Sequence, residues 1–306
     1  MYDLIILGAG PAGTAAGVYA SRKRLKTLLI TGEFGGQSVV SADIQNWIGT
    51  VSIAGDKLAS DFHAHLQAYA QDILEIRESE LATGVTKDGD IVTLTTDKGT
   101  YTAKALLIAT GSYRRKITVL GASKFEHKGI TYCASCDGPL FSDMDVVVLG
   151  GGNAGFETAA QLLAYCKSVT LLNRSDGFNA DPVTVEKILA NPKTHVIRNA
   201  EILEIKGDTM ASSIVYKDKI SGETRELPTQ GIFVEIGQLP NTDFVKGVVD
   251  LNSFNQVIID PRTQKTSVPS IWAAGDCTDV LYHQNNIAAG DAVRALEDIY
   301  QAIHGK

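Results

Sequence analysis

Two short apolar runs in this chain each pass straight into a glycine-rich turn and then into a helix-compatible stretch, and no other feature limits its fold as strongly. Leu4 to Leu7 leads into Gly8-Ala-Gly10-Pro11-Ala12-Gly13, a helical stretch to about Arg24, and a second apolar run from Thr27 to Thr31. The same grammar returns at Asp145 to Leu149, which leads into Gly150-Gly-Gly152-Asn153-Ala154-Gly155, a helix to about Tyr165, and the run Val169 to Leu172. The three glycines of such a turn have separate tasks. The first makes the tight turn, the second lets backbone approach a diphosphate, and the third lets the helix pack closely on the strand. The chain is therefore predicted to be an α/β protein with two Rossmann-like dinucleotide-binding domains.

Three further apolar segments end in glycine: Ala105 to Gly111, Gly231 to Gly237, and Ser270 to Gly275-Asp276. Each reads as a strand that delivers its carboxyl end to a ligand, which is where nucleotides bind in open α/β sheets. With the second unit inserted into the first, residues 1–112 and 245–306 form one domain and residues 113–244 the other. A length of 306 residues suits two domains. Lys and Arg number 28 against 35 Asp and Glu, a net charge of −7 that leaves no basic surplus for nucleic acid. No apolar run approaches the roughly 20 residues that span a bilayer. The start, MYDLIILGAG, has no basic region or cleavage site of a secretory leader, so a cytoplasmic location is expected.

Four cysteines are too few for a disulfide scaffold, and two of them form Cys133-Ala-Ser-Cys136, followed by Asp137-Gly138. Zinc would call for a second such pair or a histidine pair at ligand spacing, and Cys166, Cys277 and the six histidines offer neither. Redox chemistry uses this spacing differently. One thiolate attacks a disulfide, its neighbour resolves the mixed disulfide, and an adjacent carboxyl such as Asp137 moves the proton. Cys166 and Cys277 read as buried thiols.

These motifs resemble, in order and over the whole chain, the low-molecular-weight thioredoxin reductase family. The likeness is strongest to the flavoprotein reductase portion of alkyl hydroperoxide reductase systems. The shared stretches are GAGPAG at Gly8, Gly35-Gly36-Gln37 followed by Asn46, ATG at Ala109, CxxCDG at Cys133, GGGN at Gly150, Gly237-Gln-Leu-Pro-Asn241, and Ala274-Gly-Asp276-Cys277. The resemblance implies FAD in the outer domain, with Gly8, Gly10, Pro11, Ala12 and Gly13 at the pyrophosphate and Glu33 near the adenosine ribose. Gly36, Gln37, Asn46 and Asp276 would line the ribityl and flavin region, together with Ala109, Gly111, Gly275 and Gln284. It also implies that Cys136 faces the flavin and Cys133 attacks a partner disulfide, with Asp137 as acid and base. The inner domain would take a second nucleotide at Gly150, Gly152, Asn153, Ala154 and Gly155, with Glu157 just inside the helix and Asn173 and Arg174 at the ribose.

The departures bear on the electron donor. After the run Val169 to Leu172, relatives in this family carry several cations that hold the extra phosphate of NADPH, or an acid that favours NADH. Here the segment reads Asn173-Arg174-Ser175 and then Asn179, with a single cation. NAD(P)H is therefore expected to act weakly and with little discrimination. The polar run Tyr282-His283-Gln284-Asn285-Asn286 replaces a basic residue followed by aliphatic ones. Some subgroups that the chain resembles are ferredoxin-linked or diflavin-linked, which leaves ferredoxin or a second flavin as alternative donors. The reading is an FAD-dependent protein-disulfide reductase, homodimeric by resemblance, that passes electrons to thioredoxin or a thioredoxin-like protein. A dithiol oxidase that delivers electrons to oxygen, and a non-enzymatic redox sensor, remain as alternatives.

Overall fold

The computed structural model describes residues 1–41, 44–70 and 73–305. The chain divides into two compact units: unit 1 comprises Met1–Tyr113 and Leu239–Lys306, and unit 2 is Arg114–Gln238. The return into unit 1 falls at Leu239 rather than 245. The turn that follows belongs there because Pro240, Asn241, Asp243 and Phe244 line a cleft of that unit.

In unit 1 the strands Leu74–Glu78, Thr27–Phe34, Tyr2–Ala9 and Thr100–Ile108 lie side by side in parallel. The strand Thr100–Ile108 then pairs on its other edge with antiparallel Ile91–Thr96 and, further along, with parallel Ile271–Ala273. Apolar residues follow one another in these strands because both faces are covered. Leu4 and Ile6 join Leu29, Ala105 and Leu107 on one face, whereas Ile5 and Leu7 join Leu28, Leu106 and Ile108 on the other. The first face is covered by the helices Pro11–Arg22 and Asn285–His304, whose small residues Ala16, Ala20, Ala292 and Ala295 allow close packing. Trp272 ties the last strand to the last helix, its indole N–H donating to Asp298 Oδ2 at 2.9 Å.

Unit 2 repeats the arrangement on a smaller scale. Its parallel sheet runs Thr194–Ile197, Ser168–Leu172, Asp145–Leu149, Gly231–Val234 and Ile130–Thr131. Val147 and Leu149 face one cluster and Val146 and Val148 the other. A three-stranded antiparallel sheet, Ala200–Gly207, Ala211–Asp218 and Thr224–Pro228, contributes Ile205 and Ile214 to the first cluster. Among the described residues no helix is long and apolar enough to cross a membrane.

Phe156 anchors the helix Asn153–Leu162 in the second cluster: it is fully buried and meets Phe178 edge-on with ring centroids 4.9 Å apart. Truncation leaves a cavity that the surrounding sheet fills only partly, so Phe156→Ala should cost about 3–5 kcal/mol. Urea unfolding followed by far-UV circular dichroism should show this as a lowered midpoint with the native spectrum retained in buffer.

Candidate active site

The first glycine turn is built by backbone crowding. Gly8 has φ +102°, and a Cβ there would lie 2.3 Å from the Ala109 carbonyl oxygen; a Cβ on Gly13 would lie 1.8 Å from the carbonyl oxygen of Gly8. Gly10 differs: a Cβ there would meet the Gly35 carbonyl oxygen and Gly36 Cα at 3.9 Å, ordinary contact distance, so no neighbouring atom crowds the position. The helix Pro11–Arg22 begins at Gly10 with no side-chain cap and no acidic residue in its first turn, which leaves its leading N–H groups free for an anion. A cleft of about 580 Å³ opens above them, formed wholly by unit 1. That volume lies within the range of small-molecule sites.

Most residues expected at the first nucleotide line this cleft. Gly8, Gly10, Pro11 and Ala12 lie at the turn, and Glu33 stands at the end of Thr27–Phe34. Gly36 and Gln37 follow, with Ala109, Gly111, Gly275 and Asp276 at the ends of neighbouring strands. Gly13 lies beneath the turn. Asn46 and Gln284 are not among the lining residues but bond to each other, Asn46 Nδ2 donating to Gln284 Oε1 at 3.1 Å. The polar run that precedes the last helix is occupied in the same way. Ser38 Oγ donates to Asn285 Oδ1 at 3.1 Å, Asn286 Nδ2 donates to the Asn46 carbonyl at 2.7 Å, and the Ile48 N–H donates to Asn286 Oδ1 at 3.4 Å. These side chains tie the helix entry to Ser38, Asn46 and Ile48, a pairing that the sequence left undefined.

Unit 2 reproduces the turn. Gly150 has φ +134° with its absent Cβ 2.2 Å from the Glu235 carbonyl oxygen, Gly155 packs 2.3 Å from the Gly150 oxygen, and Gly152 has nothing nearer than 3.8 Å. The helix Asn153–Leu162 is likewise uncapped at Gly152 and free of acid in its first turn, which holds Asn153 and Ala154; exposed Glu157 comes one turn later. Glu235 leaves the end of Gly231–Val234, and its Oε1 accepts hydrogen bonds from Thr158 Oγ1 at 2.8 Å and from Arg114 at 3.3 Å. Burial holds its carboxyl above the usual range against the pull of both partners.

The ribose loop differs from its sequence reading in two respects. Asn173 is buried, and its Nδ2 donates to the carbonyls of Ser175 at 2.8 Å and Gly177 at 2.9 Å, so the amide N–H groups hold the loop instead of pointing out of it. The single cation is also joined by others. Lys219 Nζ donates to the carbonyl of Arg174 at 3.1 Å, while Arg198 donates to that of Asp176 at 3.0 Å and lies over the Phe178 ring at 4.5 Å. No carboxylate forms a salt bridge with Arg174, Arg198 or Lys219 among the described residues.

Cys133 and Cys136 form a disulfide with Cα atoms 5.3 Å apart, both partly exposed. Cys133 caps the short helix Ala134–Asp137, with the Cys136 N–H 3.2 Å from its sulfur. Asp137 is held by the hydroxyl of Thr131, which also accepts from the Cys133 N–H at 3.3 Å. The other two cysteines are fully buried, and burial pushes each thiol up to about 11.

Residues 2–302 match the pyridine nucleotide-disulphide oxidoreductase family. The chain belongs to that family. It is 38% identical over 296 residues to an alkyl hydroperoxide reductase component of Escherichia coli, a match covering 96% of this chain and 57% of that protein. Over 295 residues it is 36% identical to a NADH dehydrogenase from Bacillus subtilis, covering 96% and 57%. The chain thus spans a little over half the length of these relatives. Among solved structures, thioredoxin reductase from Streptococcus pyogenes superimposes with a TM-score of 0.92 at 31% identity, covering 100% of this chain and 99% of that one. Thioredoxin reductase from Giardia duodenalis gives 0.93 at 31% identity, covering 99% of each. The two Rossmann-like domains expected from the glycine turns are those of these structures.

The contrast between exposed and buried cysteines has a direct test. After mild reduction, iodoacetamide at pH 8 should label Cys133 and Cys136 and leave Cys166 and Cys277 unmodified until denaturant is added, as read by peptide mass spectrometry. The buried thiols also couple stability to pH. Their folded pKa of about 11 exceeds the ordinary value of 9.0, so the folded state holds more protons. Their contribution is full below pH 9 and should be lost as pH rises toward about 11, giving a falling urea midpoint that Cys166→Ala flattens in part.

Proposed function

We propose that this enzyme is an FAD-dependent protein-disulfide reductase: electrons enter from a nicotinamide dinucleotide in unit 2, pass to FAD in unit 1, and leave through Cys133 and Cys136 to thioredoxin or a thioredoxin-like protein. The observation that carries the reading is the partly exposed Cys133–Cys136 disulfide, beside Asp137, in a chain that also builds two uncapped glycine turns. The unit 1 cleft suits FAD. Gly10 leaves space for a diphosphate, the free N–H groups of Pro11–Arg22 oppose its charge, and Glu33 and Asp276 offer acceptors for sugar hydroxyls. Bound there, FAD supplies the two electrons that open the disulfide.

The chain's own groups do the rest. Opening the Cys133–Cys136 bond yields one thiolate and, with one proton, one thiol. Asp137 takes the Cys133 thiol proton as the Cys133 sulfur attacks the disulfide of the partner protein, forming a mixed disulfide and expelling the partner's first thiolate, to which Asp137 passes that proton. Cys136 then attacks Cys133, expelling the partner's second thiolate and restoring the Cys133–Cys136 bond. The second thiolate takes a proton from solvent, so the partner leaves as a dithiol and the enzyme is oxidised as at the start. The family resemblance would make Cys136 the sulfur that interacts with the flavin, and on that reading Cys133→Ser should keep a long-wavelength thiolate-to-flavin absorbance on reduction while Cys136→Ser loses it. The reverse result would exchange the two roles.

The ring of Arg174, Arg198 and Lys219 around the ribose loop favours a donor with an additional phosphate there, and the absence of a carboxylate at Asn173 removes the reason to prefer a free hydroxyl. Anaerobic titration with NADPH, NADH and reduced ferredoxin, followed by flavin bleaching, decides the donor. NADPH should bleach at lower concentration than NADH, and the difference should shrink at high salt. Bleaching by ferredoxin alone would transfer the assignment to a ferredoxin-linked reductase.

A further inference from the structure

We propose that Glu235 recognises the nicotinamide-riboside half of the electron donor, its Oε2 accepting a hydrogen bond from a hydroxyl or carboxamide donor of that half. This inference rests on the reading of unit 2 as a nicotinamide dinucleotide site, and it gives a role to Glu235, which lies in the strand Gly231 to Gly237 but was not assigned one from the sequence. The argument begins with strand order. Asp145–Leu149 lies between Ser168–Leu172 on one edge and Gly231–Val234 on the other. The chain leaves Leu149 toward the helix and Ser168–Leu172, so the direction of winding switches between Asp145–Leu149 and Gly231–Val234. Ligands of open α/β sheets lie in the crevice at such a switch.

Glu235 stands at the mouth of that crevice. Its N–H donates to the Leu149 carbonyl at 2.8 Å, and a Cβ on Gly150 would lie 3.6 Å from its own Cβ. The loop of Asn173 and Arg174, where an adenosine would sit, follows the strand on the opposite edge. A dinucleotide whose diphosphate rests on Gly150 to Gly155 therefore extends its second nucleoside toward Glu235. Unit 1 gives an internal comparison, since Ala109 holds the same place opposite Gly8 and presents only a methyl group to its cleft.

The side chain is held ready for a ligand. Thr158 and Arg114 both donate to Oε1, and Oε2 accepts no hydrogen bond among the described residues. The carboxyl keeps 11% of its side-chain surface exposed, and Arg114 offsets its charge, so an approaching diphosphate does not meet an uncompensated negative group. A free carboxylate oxygen selects donors. The ribose hydroxyls and carboxamide N–H of a nicotinamide riboside are donors on the half of the ligand that reaches it.

Calorimetric titration of the FAD-loaded protein with NADH, NADPH and 5′-ADP tests this, with Glu235→Ala and the nearly isosteric Glu235→Gln. Loss of a charge-assisted hydrogen bond should weaken both dinucleotides by about 10- to 100-fold in Glu235→Ala, with a smaller loss in Glu235→Gln. Binding of 5′-ADP, which lacks the nicotinamide half, should stay within about twofold of wild type. Unchanged dinucleotide affinity in both variants overturns the proposal, and so does parallel weakening of 5′-ADP, which would mark a merely structural role. Should Glu235→Ala not fold, the Glu235→Gln titration gives the same decision. Wild-type protein that binds 5′-ADP but binds dinucleotides no more tightly overturns the proposal and leaves the adenosine site standing. Wild-type protein that binds none of the three overturns the underlying reading of unit 2.

Discussion

A backbone carbonyl pressed against a glycine sets the geometry on which both halves of this protein depend. In unit 1 the Gly8 oxygen occupies the place that a side chain on Gly13 would fill, and in unit 2 the Gly150 oxygen does the same to Gly155. The contact brings the first turn of each helix directly over the end of its strand. It aims the free N–H groups at one small volume, and the intervening Gly10 or Gly152 keeps that volume clear. Any Cβ at the packed positions would push the helix outward and take the anion site with it.

Features that depend on neighbours in sequence were legible before the structure. The glycine turns, the continuous burial of apolar runs such as Leu4 to Leu7, and the Cys133–Cys136 pairing all follow from short-range patterns, and the structure contains them. What was not legible depends on side chains brought together from distant segments. Arg198 and Lys219 reach the ribose loop from connections between later strands of unit 2, so counting cations along the loop found only Arg174. Asn173 resembled a ligand residue because its position matched, yet carbonyl groups within four residues take its amide N–H groups. The amides at Gln284 to Asn286 could not be interpreted without their partners at Ser38, Asn46 and Ile48, which lie some 240 positions earlier in the chain. Arg114 and Glu235 are separated by 121 positions, and nothing in the run Gly231 to Gly237 that holds Glu235 points to its partner.

The same residue type takes opposite chemical characters here according to depth. Cys166 and Cys277 lie among aliphatic side chains where a thiolate would be poorly solvated, and they serve as small apolar groups. Cys133 and Cys136 sit at a short helix with water within reach and a carboxyl alongside. Reactivity is thus confined to one pair by burial of the other two.

The insertion of unit 2 also has a temporal side. Synthesis proceeds from the amino terminus, so residues 114–238 are complete while Ile271–Ala273 and Asn285–His304 have yet to be made. Until then the face of Leu4 and Ile6 has only Pro11–Arg22 of the two helices that cover it, and Thr100–Ile108 lacks part of one edge. The outer unit begins first and finishes last. The growing chain must therefore carry an open apolar sheet face through the whole time needed to make its inner unit, which makes that face the natural place for a chaperone to hold.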